Sequence, residues 1–113
     1  VLVDSVTGQL GTAVSSIRYK ENVQDMQDES SPILALRPVV FNYKADASHK
    51  KQFGLIAEEV NKVMPALVVR GVDNEIETVK YHELASLLLN ELIKQHHEME
   101  AVKARLKVLE AQA

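Results

Sequence analysis

The chain contains no cysteine and no tryptophan. Disulfides, thiolate nucleophiles and cysteine-based zinc sites are excluded together, and the redox compartment is left open. Glycine occurs 4 times and proline 3 times. No glycine-rich loop of the kind that cradles phosphate is present. Aromatic residues make up only 4% of a chain that is 46% hydrophobic, so a single domain of 113 residues has a lean core that an oligomer would help to complete. No apolar run approaches the roughly 20 residues needed to span a bilayer. A formal net charge of -3 argues against a nucleic-acid binder, which would show a basic face.

What is abundant is helix-forming sequence at the C-terminal end. From Tyr81 onward there is no Gly or Pro, and Ala, Leu, Glu, Lys and Gln dominate. With Ala85 at position a, the alternation runs Leu88, Leu92, Gln95, Met99, Val102, Leu106, Leu109 and Ala113. That is the 3.5-residue period of a coiled coil, held for about four heptads. The spacing predicts one helix over about 81–112 that pairs with copies of itself; the alternative is a long amphipathic helix lying on its own domain. Leu84, Leu87, Leu89 and Ile93 widen the apolar face near the start, where the helix is expected to pack on the globular part. Gln95 is a polar break at a d position that fixes register or oligomer state.

Residues 1–14 read as two short extended pieces around a turn, with too little apolar surface to stand alone. They are expected to be the end of an upstream β-stalk. Val1-Leu2-Val3-Asp4 lacks the basic flank of a signal peptide, and the start reads as the continuation of a longer chain. Residues 22–36 are expected to be helical, broken at Ser30-Ser31-Pro32, with Ser31 as N-cap and Pro32 at the first position of a fresh helix. Val39–Tyr43 and Phe53–Ile56 read as a hairpin with a long polar tip. Residues 57–64 form a short helix ended by Pro65, and a second hairpin turns at Gly71-Val72-Asp73-Asn74. The fold class is α+β: a small domain with short β-hairpins and a long C-terminal α-helix.

Chemistry concentrates in Ser15-Ser16-Ile17-Arg18-Tyr19-Lys20-Glu21-Asn22-Val23. A serine hydroxyl becomes a nucleophile when a base takes its proton, and a neutral lysine is one such base. Ser15 and Lys20 meet if the chain between them turns, whereas a straight helix would part them. Arg18 is placed to meet a developing oxyanion, and Glu21 or Asp25 to orient the lysine. The Ser15 hydroxyl can reach the Val14 carbonyl through a five-membered ring, and its place at the junction of two differently patterned regions suggests the bond between Val14 and Ser15 as the one attacked. The plain alternative is a solvated loop in which Ser15 or Ser16 caps a helix.

His49, His82, His96 and His97 show no metal-ligand spacing, so no metal and no cofactor is expected. Glu58 and Glu59 are neighbours that diverge on a helix, which argues against a catalytic acid pair. Gly54 is expected to mark a bulge or close packing. No Gly-x-Ser-x-Gly elbow is present, which argues against a protease acting on other chains.

The cluster is followed in order by Leu36-Arg37-Pro38-Val39-Val40-Phe41-Asn42-Tyr43, Phe53-Gly54-Leu55-Ile56-Ala57-Glu58-Glu59-Val60 with Pro65, and Val79-Lys80-Tyr81 with Leu84. These blocks resemble the peptidase S74 family, the C-terminal intramolecular chaperone domain of phage tail spikes, tail fibres, endosialidases and neck appendages. The resemblance implies a homotrimer, tied by a trimeric coiled coil, that guides an upstream β-helical client and then releases itself. In the family pattern Ser15 is the motif serine, with Arg18 and Lys20 in register and the cut between Val14 and Ser15. Ser16 stands where the family usually has Asp or Asn; a start at Ser16 would break the spacing. The chaperone domain would then be residues 15–113. The polar tip with His49, Lys50 and Lys51 is either a solvated loop or an arm reaching the stalk. Phage-borne examples imply action in the host-cell cytoplasm during virion assembly, with the released domain absent from the mature virion. The alternative function is a structural trimerisation tip that stays attached.

Overall fold

The computed structural model describes residues 14–113. The extended pieces and turn expected within residues 1–13 lie outside the described residues. Among the described residues, two two-stranded antiparallel sheets, two α-helices and three 3-10 segments form an α+β arrangement in which one helix is far longer than the rest.

The first hairpin pairs β1 (Val39–Phe41) with β2 (Gln52–Gly54), opposing Val40 to Phe53 and Val39 to Gly54. Both strands are shorter than their β-rich composition predicts, because the chain leaves the ladder at Asn42 and again at Leu55. Gly54 sits in a continuous register, and its role is close approach. A Cβ there would lie 3.1 Å from the Tyr81 hydroxyl and 3.3 Å from the Phe41 ring. The Tyr81 hydroxyl accepts the Leu55 N–H at 3.1 Å, which fastens the hairpin to the start of the long helix.

Helix α1 (Ala57–Val63) stops before Pro65, which opens a 3-10 turn, Pro65–Leu67. β3 (Val68–Arg70) and β4 (Ile76–Val79) form the second hairpin, with a bulge at Val69/Arg70. Its turn is closed by Asn74, whose φ of 61° is one that asparagine tolerates better than most residues. The bulge and turn bring Val68 and Val79 onto the side that faces the core.

The segment between the polar cluster and Leu36 departs from expectation. Residues 20–26 form no helix, and Gln27–Ala35 is a 3-10 run of 9 residues with Pro32 inside it. Ser31 is therefore not an N-cap and Pro32 does not begin a helix. A proline has no N–H to give and clashes with an α-helical turn behind it. Short 3-10 turns whose bonds are already irregular absorb it.

Helix α2 spans Tyr81–Ala111, 31 residues, or roughly 46 Å at 1.5 Å per residue. Only its first half, as far as Lys94, touches the domain. Leu84 and Leu87 join Ile33, Val60, Leu67, Val68 and Val79 in the core, with Met26, Leu36, Leu55 and Met64 packed around them. Every core member is aliphatic, as the scarcity of aromatics requires. Leu89 and Ile93, expected on the domain side, are exposed instead. Successive α-helical residues turn by about 100°, so the stripe Leu84–Leu87–Glu91–Lys94 and the pair Leu89–Ile93 fall on opposite flanks of the helix. From Gln95 to Ala113 every residue is exposed.

Candidate functional site

Val14 through Lys20 lie on the surface, and a single 3-10 turn, Ile17–Tyr19, shapes them. Ser16 is its N-cap: extended at φ -63° and ψ 145°, it accepts the Arg18 N–H on its hydroxyl at 3.4 Å. The turn closes by hydrogen bonds from Tyr19 N–H to the Ser16 carbonyl and from Lys20 N–H to the Ile17 carbonyl, each 3.0 Å. Lys20 then returns to extended backbone. The outcome is that Lys20 Nζ donates to Ser15 Oγ at 3.4 Å across a separation of 5 residues. A turn-like path thus brings amine and hydroxyl together where a straight helix would have separated them.

Arg18 is held by its neighbour. Its guanidinium carbon lies 4.7 Å from the Tyr19 ring centroid, and Nη2 donates to the Tyr19 hydroxyl at 2.9 Å. Tyr19 is the member of this group that sequence reasoning passed over; an Arg beside a Tyr, with a cap before them, was the available signal. Among the described residues neither Glu21 nor Asp25 pairs with Lys20, since the ion pairs are those of Arg37, His82, Lys94 and Lys103. Val14, Ile17, Tyr19 and Val23 expose their apolar surface around the dyad.

The heptad positions form a second feature. Leu88, Leu92, Met99, Val102, Leu106 and Leu109 are all more than half exposed in the single chain, and Gln95 is exposed among them. The domain packs on the flank carrying Leu84, Leu87 and Glu91, so the a/d stripe is left open along its length.

The polar tip, residues 42–51, has internal order. The Asp46 carboxylate accepts the Ser48 hydroxyl and N–H and the Lys50 N–H, at 2.6, 3.0 and 3.0 Å. These bonds, the Ser48 hydroxyl foremost, hold its carboxyl below the ordinary range. His49 takes a φ of 52° and, with Lys50 and Lys51, stays exposed. Glu59 forms a two-pronged ion pair with Arg37, at 3.2 Å to Nε and 2.6 Å to Nη2, which gives this acidic residue a structural partner. Among the described residues no group of three or more His, Asp or Glu side chains is placed to hold a metal ion, and no helix is long and apolar enough to cross a membrane.

A third group escaped the sequence altogether: Ser30, Asn90, Glu91 and Lys94, joined under the 3-10 run. The heptad frame drew attention to the a and d positions, while these helix residues fall between them.

Comparison with known proteins gives one family. Residues 15–69 match the peptidase S74 model, described as the chaperone of endosialidase. The match begins at Ser15 and covers the site, the first hairpin, α1 and the start of the second hairpin. No curated protein matches the chain.

Proposed function

Since the chain belongs to the peptidase S74 family, the chaperones of endosialidase, we propose that it trimerises, guides the folding of an upstream β-helical fibre or spike, and cuts itself free between Val14 and Ser15. The observation that carries the cleavage step is the 3.4 Å contact between Lys20 Nζ and Ser15 Oγ, beside the bond to be broken.

In the neutral form the Lys20 amine accepts the Ser15 proton, reversing the direction of the hydrogen bond. Ser15 Oγ then attacks the Val14 carbonyl carbon. The bond to the Ser15 nitrogen breaks, the nitrogen takes a proton, and the acyl group rests on oxygen as an ester. Water hydrolyses that ester, leaving a carboxylate on Val14 and restoring the Ser15 hydroxyl. Arg18 would meet the oxyanion after leaving the Tyr19 ring. Ser16 supplies the cap that sets the turn, a task a hydroxyl performs without the charge of Asp.

Trimer formation has its own support. A helix with seventeen exposed residues beyond the domain, Gln95 to Ala111, carries leucines at heptad spacing whose apolar surface copies of itself would bury. Joining three helices raises the local concentration of the three upstream strands before they touch. A neighbouring copy covering Val14, Ile17, Tyr19 and Val23 would strip water from the site. Cleavage would then follow assembly, and removal of the assembling device makes the product kinetically hard to undo. The arm at His49, Lys50 and Lys51 is oriented by Asp46 to touch the client. The chain would act in the host-cell cytoplasm during virion assembly.

Intact mass of the expressed chain, beside Ser15→Ala and Lys20→Ala, tests this. A product beginning at Ser15 in the wild type alone is expected. An uncut trimer in all three would replace cleavage with a static trimerisation tip, the reading that Ser16 and the Tyr19-bound Arg18 favour. Cutting of an added peptide would point to a protease acting in trans.

A further inference from the structure

Ser30 is fully buried and Glu91 is 5% exposed, in a core otherwise built of aliphatic side chains. Ser30 Oγ donates to Glu91 Oε1 at 2.8 Å, and Asn90 Nδ2 donates to Ser30 Oγ and to the Gln27 carbonyl at 2.7 Å each. Lys94 Nζ closes the group, donating to Glu91 Oε1 at 2.8 Å, Ser31 Oγ at 3.0 Å and Asp28 Oδ1 at 3.0 Å. Residues some sixty positions apart in the chain are thereby tied together.

Two physical points give this knot a purpose beyond holding the fold. Burying a carboxylate sacrifices hydration that its partners return only in part, and apolar side chains of like volume stabilise as well or better. What a satisfied buried polar group adds is a single arrangement in place of several. The second point is Gln27, whose φ of 55° is a left-handed conformation that a glutamine keeps only where its surroundings fix it. Asn90, reaching over from α2, grips the carbonyl of that residue. Gln27 is where the chain arriving from the cut site enters the fold. Residues 20–25 are exposed and contain no helix or strand, and Met26 packs on the core, so Met26 and Gln27 are the anchor from which the Ser15–Lys20 segment leaves the fold.

We propose that Ser30, Asn90, Glu91 and Lys94 form a latch that sets the cut segment relative to the helix seam. Glu91 and Asn90 are then positioning residues for cleavage between Val14 and Ser15, acting through Gln27 and not on the reacting atoms. Asn90, Glu91 and Lys94 interleave with Leu92 and Gln95 of the a/d stripe, so pairing of the helices and placement of the segment share the same two turns of α2. The proposal rests on the self-cleavage reading for its function, though the latch is measurable without it.

The test uses the full chain, whose lack of cysteine lets two engineered ones report alone. Spin labels at Val23→Cys and His97→Cys, diluted into unlabelled chain, give a narrow distance distribution in the otherwise unaltered background. Glu91→Leu is expected to broaden it and to slow cleavage tenfold or more, with helix content and assembly mass unchanged. Glu91→Gln, which keeps a carbonyl acceptor for Ser30 and Lys94, is expected to recover most of both. If Glu91→Leu does not fold, Asn90→Ala frees the Gln27 carbonyl and serves the same comparison. A folded Glu91→Leu or Asn90→Ala chain with an unchanged distribution overturns the latch; a broadened distribution with an unchanged cutting rate overturns the positioning role. Should the unaltered chain never cut, the self-cleavage reading and the positioning role built on it fall together, and the distance comparison still decides whether the latch exists.

Discussion

Leu92→Gln separates what the helix does for its own domain from what it does for assembly. Leu92 is 66% exposed in the single chain, so the substitution removes almost nothing from the protomer. Gln and Leu also have similar helix propensity. In a seam, a leucine going from fully exposed to fully buried is worth about 1.5–3 kcal/mol, and about two thirds of that remains available here, or about 1–2 kcal/mol. A three-chain seam counts the loss three times, giving about 3–6 kcal/mol per trimer. At 1.4 kcal/mol per tenfold, the association constant falls by roughly two to four orders of magnitude, before any cost of burying the amide. Sedimentation equilibrium over a dilution series reads this directly, with circular dichroism confirming that the helix of the protomer survives. An unchanged dilution curve for Leu92→Gln would refute the seam, whatever the state of the rest of the molecule.

Leu67→Ala should act in the opposite manner. Leu67 is 1% exposed at the centre of the core, and its truncation is expected to cost about 2–5 kcal/mol in urea unfolding of the monomeric Leu92→Gln background. Tyr81→Phe removes the acceptor for the Leu55 N–H while keeping the ring, and should lower the urea midpoint by the equivalent of about 1 kcal/mol at constant slope. Acid should loosen the latch. The Glu91 carboxyl is held below its ordinary range, first by the Lys94 hydrogen bond and then by that of Ser30. A lowered folded value means that this contribution is fully present above the ordinary carboxylate range, about pH 4.3, and lost as pH falls through the folded value. Unfolding midpoints against pH should therefore fall more steeply below that point in the wild type than in Glu91→Gln.

The heptad stripe was legible because it depends on spacing alone: a leucine at every third or fourth position defines a face whatever surrounds it. The hairpins were legible too, since Gly71–Asn74 and the polar run after Tyr43 interrupt β-rich stretches. Their ends were not, because a strand stops where its partner's backbone departs, as at Phe41 and Gly54. Residues 22–36 misled for a similar reason. Their apolar spacing suits an α-helix, but Met26 and Ile33 reach the same core through an irregular 3-10 path that composition does not encode.

The site divides along the same line. The amino-acid order placed Ser15, Arg18 and Lys20 within a few residues of one another, and the proposed cut beside Ser15 needs only such local partners. Folding decided that a 3-10 turn, not an α-helix, joins them, that Tyr19 takes Arg18, and that Glu21 and Asp25 stand apart from Lys20. It also decided the latch. Ser30 and Glu91 are unremarkable polar residues in the sequence, and their meeting requires two distant segments to pack at one depth and one rotation. Contacts that repeat along the chain are written in its period; contacts made across it exist only once the core has closed.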